Sequence, residues 1–191
     1  MITEAVSTQQ KKRIHPHKFT LWVAIGSMIM MFAGLTSAYI VKGSLPGWST
    51  VEVPTIFYIS TAVLLLSSLT IQMANKAFKE RSMQQYRRMV MATLVLGIAF
   101  IVMQVVGFNQ MMQSGVTMRG GSGAGQFLYI IFGLHGIHVL GGVIALIVMF
   151  ARAFSSRSRN YNPVSIEIAG TYWHFVDLLW IYLFVFFLAT A

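Results

Sequence analysis

The chain has 191 residues, 56% hydrophobic and 10% charged, with a mean hydropathy of +0.68, a net charge of +9 and no cysteine. A soluble domain carries about 25% charged residues, so this composition excludes one and implies an integral membrane protein built from helices. The lack of cysteine excludes disulfides, thiolate metal sites, c-type haem attachment and iron–sulfur clusters within these residues. The basic charge lies between apolar blocks, so it reads as loops that set orientation and meet anionic lipid, and nucleic acid is not an expected partner.

Residues 1–18 form a polar, basic N-terminal tail with Lys11-Lys12-Arg13 and His15-Pro16-His17-Lys18. The apolar run after it is too long for a signal peptide and offers no small-residue cleavage site, so disorder is expected to about Ile14. His15 and His17 read as solvated tail residues rather than metal ligands. The remainder, residues 19–191, is expected to be a five-helix transmembrane domain. Its first span covers about residues 19–41, long enough to cross a roughly 30 Å hydrocarbon core. Gly34 and Ala38 give it a spacing of small residues that admits a close neighbouring helix.

Turn chemistry at residues 43–47 leads to a second span at about 54–74, with Pro54 suited to its first turn. Ser60, Thr61, Ser67, Ser68 and Thr70 suggest hydrogen bonds between helices, although such hydroxyls also bond their own backbone. A basic connection with Lys76, Lys79, Arg81, Arg87 and Arg88 is expected before the third span, about 89–111, where Gln104 reads as an interhelical hydrogen-bonding group. Residues 114–125 are glycine-rich but lack the Gly-Lys-Ser/Thr ending of a phosphate-cradling loop, so an extramembrane loop is expected. The fourth span, about 126–152, carries His135, His138, Gly142, Ala145 and Met149 on one stripe. Asn162-Pro163 is a helix-start signal for the last element, whose span is about 167–190.

Lys and Arg alternate between loops: four in the N-terminal tail, five in the connection between spans two and three, and three in that between four and five. The other two loops hold one each. The positive-inside rule then puts the N-terminus in the cytoplasm and the C-terminus outside. The fold expected is an all-α membrane bundle of five transmembrane helices.

The last span combines His174 and Asp177 with Trp173 and Trp180 at membrane depth, where ionisable groups are costly and normally face protein or water. Glu167, Gly170, His174, Asp177 and Ile181 fall on one stripe at 100° per residue. With His135 and His138 on the preceding span, the set could hold zinc or iron, or ligate a haem. A di-iron bundle wants more carboxylates than the spans offer, and a two-haem bundle wants paired histidines on each of two helices. An autonomous proton-coupled transporter would ordinarily show repeated halves or a broken helix, and neither is visible. A satisfied polar network between spans four and five, or one meeting a partner, is the plainer alternative.

Residues Tyr172-Trp173-His174-Phe175-Val176-Asp177-Leu178-Leu179-Trp180, with Glu167 before them, resemble the C-terminal signature of subunit III of haem-copper terminal oxidases. Gly133-Leu134-His135-Gly136-Ile137-His138-Val139 resembles the signature of the preceding helix, and Ser67-Ser68-Leu69-Thr70 and the Gln104 region match less specifically. The resemblance implies a short five-helix form of the family, in a prokaryotic cytoplasmic membrane. It implies no cofactor on this chain except phospholipid, with haem and copper in partner subunits and no catalytic or metal-binding residue here. Subunit I is the implied direct partner, with subunit II and other respiratory subunits beyond it. The implied role is to stabilise subunit I, hold lipid and support proton uptake in a cytochrome c oxidase, with a quinol oxidase or a nitric-oxide-reductase-associated homologue as alternatives.

On this reading His135, His138, Glu167, His174 and Asp177 are expected to form a hydrogen-bonded network tying helices four and five. Trp173, Trp180, Gly136 and Gly142 are expected at helix or lipid contacts. Many family members carry a Ser-Glu pair six residues before the glycine matching Gly34. Here the pair is Ser27-Met28, so no role of that carboxylate carries over.

Overall fold

A computed structural model describes residues 16–43, 54–113, 123–154 and 163–190. The described residues form five α-helices: α1 (Pro16–Gly43), α2 (Ile56–Lys79), α3 (Met83–Gln113), α4 (Gly123–Phe154) and α5 (Pro163–Thr190). Each is long and apolar enough to cross a membrane. The protein is an all-helical multi-pass membrane bundle, with no strand among the described residues. The tail before Pro16, the glycine-rich residues 114–122 and Asn162 lie outside the described residues.

The helices overrun the expected apolar spans, because a helix need not stop where the hydrocarbon does. The clearest case is the basic connection between spans two and three. Lys76 and Lys79 end α2, Arg87 and Arg88 lie within α3, and only Glu80, Arg81 and Ser82 separate the two helices. Long basic side chains suit the ends of membrane helices, because their stems lie along apolar surface while the charge reaches water.

The turn itself is a Schellman closure. Ser82 N–H donates to Ala77 O at 3.0 Å, Arg81 N–H donates to Phe78 O at 3.1 Å, and Arg81 takes φ 58°. That position ordinarily favours glycine. Arg87 then ties α3 to α4: its Nε donates to Ala153 O at 2.7 Å and its guanidinium lies 5.2 Å from the Phe154 ring centre. A basic side chain thereby covers a carbonyl of α4's last turn.

In cross-section α4 and α5 form a central pair. The backbones of α2 and α3 pack closely together, α3 against α4 and α2 against α5, while α1 touches only α4 and α5 from the other side. α1 turns Ile25, Met28, Phe32, Thr36 and Tyr39 inward. Gly34 therefore faces away from the bundle, and a Cβ added there would meet nothing within 4 Å. The close helix expected at Gly34 is not one of this chain's described helices, because the large residues of α1 occupy its inner face. Met28 is buried on that inner face, so an apolar thioether fills the position where the resemblance expects glutamate.

Candidate functional site

α5 carries the densest set of large buried side chains, and its placement follows from the sevenfold spacing of Trp173 and Trp180. Seven residues are nearly two helical turns, so both indoles leave α5 on one stripe. Each is 1% exposed, and each spends its one N–H on a hydroxyl of α2. Trp173 Nε1 donates to Ser67 Oγ at 3.0 Å, and Trp180 Nε1 donates to Thr61 Oγ1 at 2.9 Å. A buried indole N–H left without a partner would cost about 1–3 kcal/mol, so these hydroxyls matter.

Both possibilities for the α2 hydroxyls are realised together. Thr61 and Ser60 donate to Phe57 O in their own helix, which leaves their oxygens free to accept from Trp180 and from Gln104 Nε2 respectively. Thr70 donates to Ser67 O and meets Thr93 of α3 at 2.8 Å. The seam between α2 and α5 is antiparallel: Tyr58 meets Phe184, Thr61 meets Trp180, Ser67 meets Trp173, and Asn75 meets Gly170.

The indoles also reach α3, which α5's backbone does not approach. Trp173 lies in a slot between α3 and α4 made by Gly97 and Gly142. A Cβ at Gly97 would stand 2.8 Å from its Cη2, and one at Gly142 would stand 3.0 Å from its Cε3. Trp180 packs against Phe100 of α3 at 5.2 Å between ring centres, Phe132 and His135 of α4 at 5.4 and 5.3 Å, and Phe57 of α2 at 5.9 Å. Two tryptophans thus join four helices.

The five titratable residues of the expected network are distributed differently. No hydrogen bond joins any two of them among the described residues. Glu167 pairs with Lys18 of α1 at 2.6 Å, with both side chains about two-fifths exposed and Lys79 adding a second cation nearby. His174 Nδ1 meets Ser68 Oγ of α2 at 2.7 Å. His138 Nδ1 turns back to Leu134 O of its own helix at 2.7 Å.

His135 is 2% exposed, lies among Trp180 and Phe32, and has no hydrogen bond on either ring nitrogen. Asp177 is 4% exposed, and neither carboxyl oxygen reaches hydrogen-bond geometry. Ser68, whose hydroxyl meets His174, also stands close enough to act on that carboxyl.

The link between α4 and α5 is instead made by Trp173 against Gly142, by Trp180 against Phe132 and His135, and by Tyr172, whose hydroxyl donates to His138 O at 3.0 Å. Spacing within one helix carries no information about the rotation of one helix against another. Gly136, expected at a helix or lipid contact, meets no other described helix, with nothing within 4 Å of an added Cβ. Ser67 and Thr61 make the interhelical hydrogen bonds expected of them, with Trp173 and Trp180 as partners, whereas Gly97 and Tyr172 are contacts the sequence does not single out. Two hydroxyls six residues apart on α2 and two tryptophans seven apart on α5 are the signal for the pairing of these two helices.

Among the described residues no group of three or more His, Cys, Asp or Glu is arranged to hold a metal ion. The fold and its aromatic slot define a polytopic bundle whose polar membrane-depth groups mainly join helices. The family profile of cytochrome c oxidase subunit III matches residues 17–190. The chain belongs to that family, and is thus a subunit III of a haem-copper oxidase. A probable cytochrome c oxidase subunit 3 from Nocardia farcinica is 31% identical, over 96% of this chain and 97% of the relative. One from Mycobacterium tuberculosis is 30% identical over the same shares, and the cytochrome c oxidase subunit 3 of Alkalihalophilus pseudofirmus is 28% identical over 94% of each.

Proposed function

We propose that this chain is the accessory subunit III of a cytochrome c oxidase in a prokaryotic cytoplasmic membrane. It packs directly against subunit I, retains lipid around the core and supports proton uptake, while oxygen reduction and electron entry take place on haem and copper of partner subunits. The observation that carries this reading is the family match across residues 17–190, the whole helical bundle. The site geometry supports it. Trp173, Trp180, Tyr172, His174 and Glu167 are spent on contacts between helices, as suits a packing subunit.

The surfaces left for partners and lipid are broad. α1 exposes Trp22, Val23, Ile29, Met30, Ile40 and Val41, and α5 exposes Leu178 and Val185. The orientation is N-terminus in and C-terminus out, from the loop charges. Because the chain has no cysteine, a single introduced thiol reports sidedness cleanly. Ser82→Cys is expected to react with a membrane-impermeant maleimide only from the cytoplasmic face, and labelling from outside would reverse the topology.

The identity is tested by purifying the complex through an affinity tag on this chain. A haem-containing subunit I should co-purify, with its visible spectrum, in equal amount. Recovery of the chain without a haem-containing companion, or with haem bound to the chain alone, would overturn the proposal.

A further inference from the structure

Between α3 and α4 lies a half-open groove of ≈ 240 Å³, with apolar walls that include Phe100, Phe108 and Phe132. Its lining holds no charged side chain, yet two of its lining residues carry buried polar atoms without a hydrogen-bond partner. Gln104 gives its Nε2 to Ser60 and keeps a buried Oε1 without a partner. His135 lines the same groove with Nδ1 and Nε2 both unpartnered. Buried polar atoms in that state are rare, and each calls for a partner.

Depth narrows the partner. His135 is twelve residues from the start of α4 and nineteen from its end, or about 18 and 28 Å along the axis at 1.5 Å per residue. Gln104 is nine residues from the end of α3 on the same side, about 14 Å by the same rise. Both lie well inside a roughly 30 Å hydrocarbon layer, away from phospholipid headgroups. An ion would be costly there. The chemistry required is also defined: an amide oxygen accepts, whereas a neutral imidazole donates from one nitrogen and accepts at the other. A hydroxyl meets both, because it donates once and accepts. A single water could do so too, but at a share of about 30 Å³ it would leave most of an apolar groove empty.

We propose that this groove binds a neutral amphiphile drawn from the bilayer, its hydroxyl held between His135 and Gln104 and its apolar body along the aromatic wall. Gly133 and Gly136 line its open side, where an added Cβ meets nothing within 4 Å. The same chemistry fits a long-chain alcohol or the hydroxyl of a hydroquinone ring.

The test uses the intact complex in phosphatidylcholine nanodiscs with a diazirine-bearing dodecanol as photoprobe. Light should label the segments around Gln104 and His135. Unlabelled dodecanol or a short-chain hydroquinone should displace the probe about tenfold more effectively than dodecane, the ratio expected of one or two net hydrogen bonds. Whichever hydroxyl competes better identifies the source. His135→Phe should abolish that tenfold preference. Gly133→Leu, which plugs the groove without touching either polar group, should abolish labelling while the complex still assembles. Equal displacement by dodecane, or labelling of Gly133→Leu at the wild-type level, would overturn the proposal. So would labelling that appears only after the chain is stripped from its complex, which would mean that a partner helix fills the groove.

Discussion

Replacing Gly97 by alanine tests the tryptophan slot most sharply, because two effects of opposite sign compete. In the interior of a helix, alanine is favoured over glycine by about 1 kcal/mol. Against this, the new methyl would stand 2.8 Å from Trp173 Cη2 and 3.2 Å from Cζ2, and the indole is 1% exposed and held at its N–H by Ser67. Overpacking of a close-packed interior costs about 1–3 kcal/mol. Gly34→Ala supplies the control: it is also mid-helix but meets nothing within 4 Å, so it has the gain without the clash. The two variants should therefore differ by about 1–3 kcal/mol, with Gly97→Ala the less stable. The assay is unfolding of the chain in mixed micelles by titrated dodecyl sulfate, followed by tryptophan fluorescence. Adding Trp173→Phe should relieve most of the Gly97→Ala penalty, a coupling that a double-mutant cycle measures. Equal stability of Gly97→Ala and Gly34→Ala would refute the slot.

Ser67→Ala strands the Trp173 N–H and should cost about 1–3 kcal/mol in the same unfolding assay. Arg81→Gly should gain about 0.5–1 kcal/mol, since Arg81 holds φ 58° at the Schellman position and glycine adopts it freely. Lys18→Ala removes a pair whose side chains are 41% and 42% exposed, so its loss should stay within about 1 kcal/mol and shrink with salt. Asp177→Asn should leave the isolated chain as stable as before, because neither carboxyl oxygen has a partner to lose. A loss of about 3–5 kcal/mol would instead mean a broken buried pair.

The number of helices and the class of protein were legible because bilayer solvation writes itself into composition: long apolar blocks can only be helices, and basic residues collect between them. Helix ends were less legible. Lys76, Lys79, Arg87 and Arg88 looked like a connection, yet they belong to helices that outrun the hydrocarbon, and the turn shrinks to Glu80, Arg81 and Ser82. Polar residues at membrane depth were found, but their partners were not. Placing His174 opposite Ser68, or Glu167 opposite Lys18, requires the rotation of each helix about its axis, which periodicity within one helix does not contain. The same missing rotation explains Gly34, whose small surface points away from the bundle. The hydroxyls of α2 were legible as helix-joining groups because a buried tryptophan N–H and a buried glutamine amide both need acceptors, and α2 is rich in them.

The central claim, an accessory subunit serving a redox core in other chains, is tested most directly by oxygen consumption of the purified oxidase with and without this chain. The core alone should keep its haem spectrum and begin turnover at a comparable rate, then lose activity during sustained turnover, and adding the chain back should prevent that decay. Loss of the haem spectrum or of the very first turnovers on removing the chain would contradict the account.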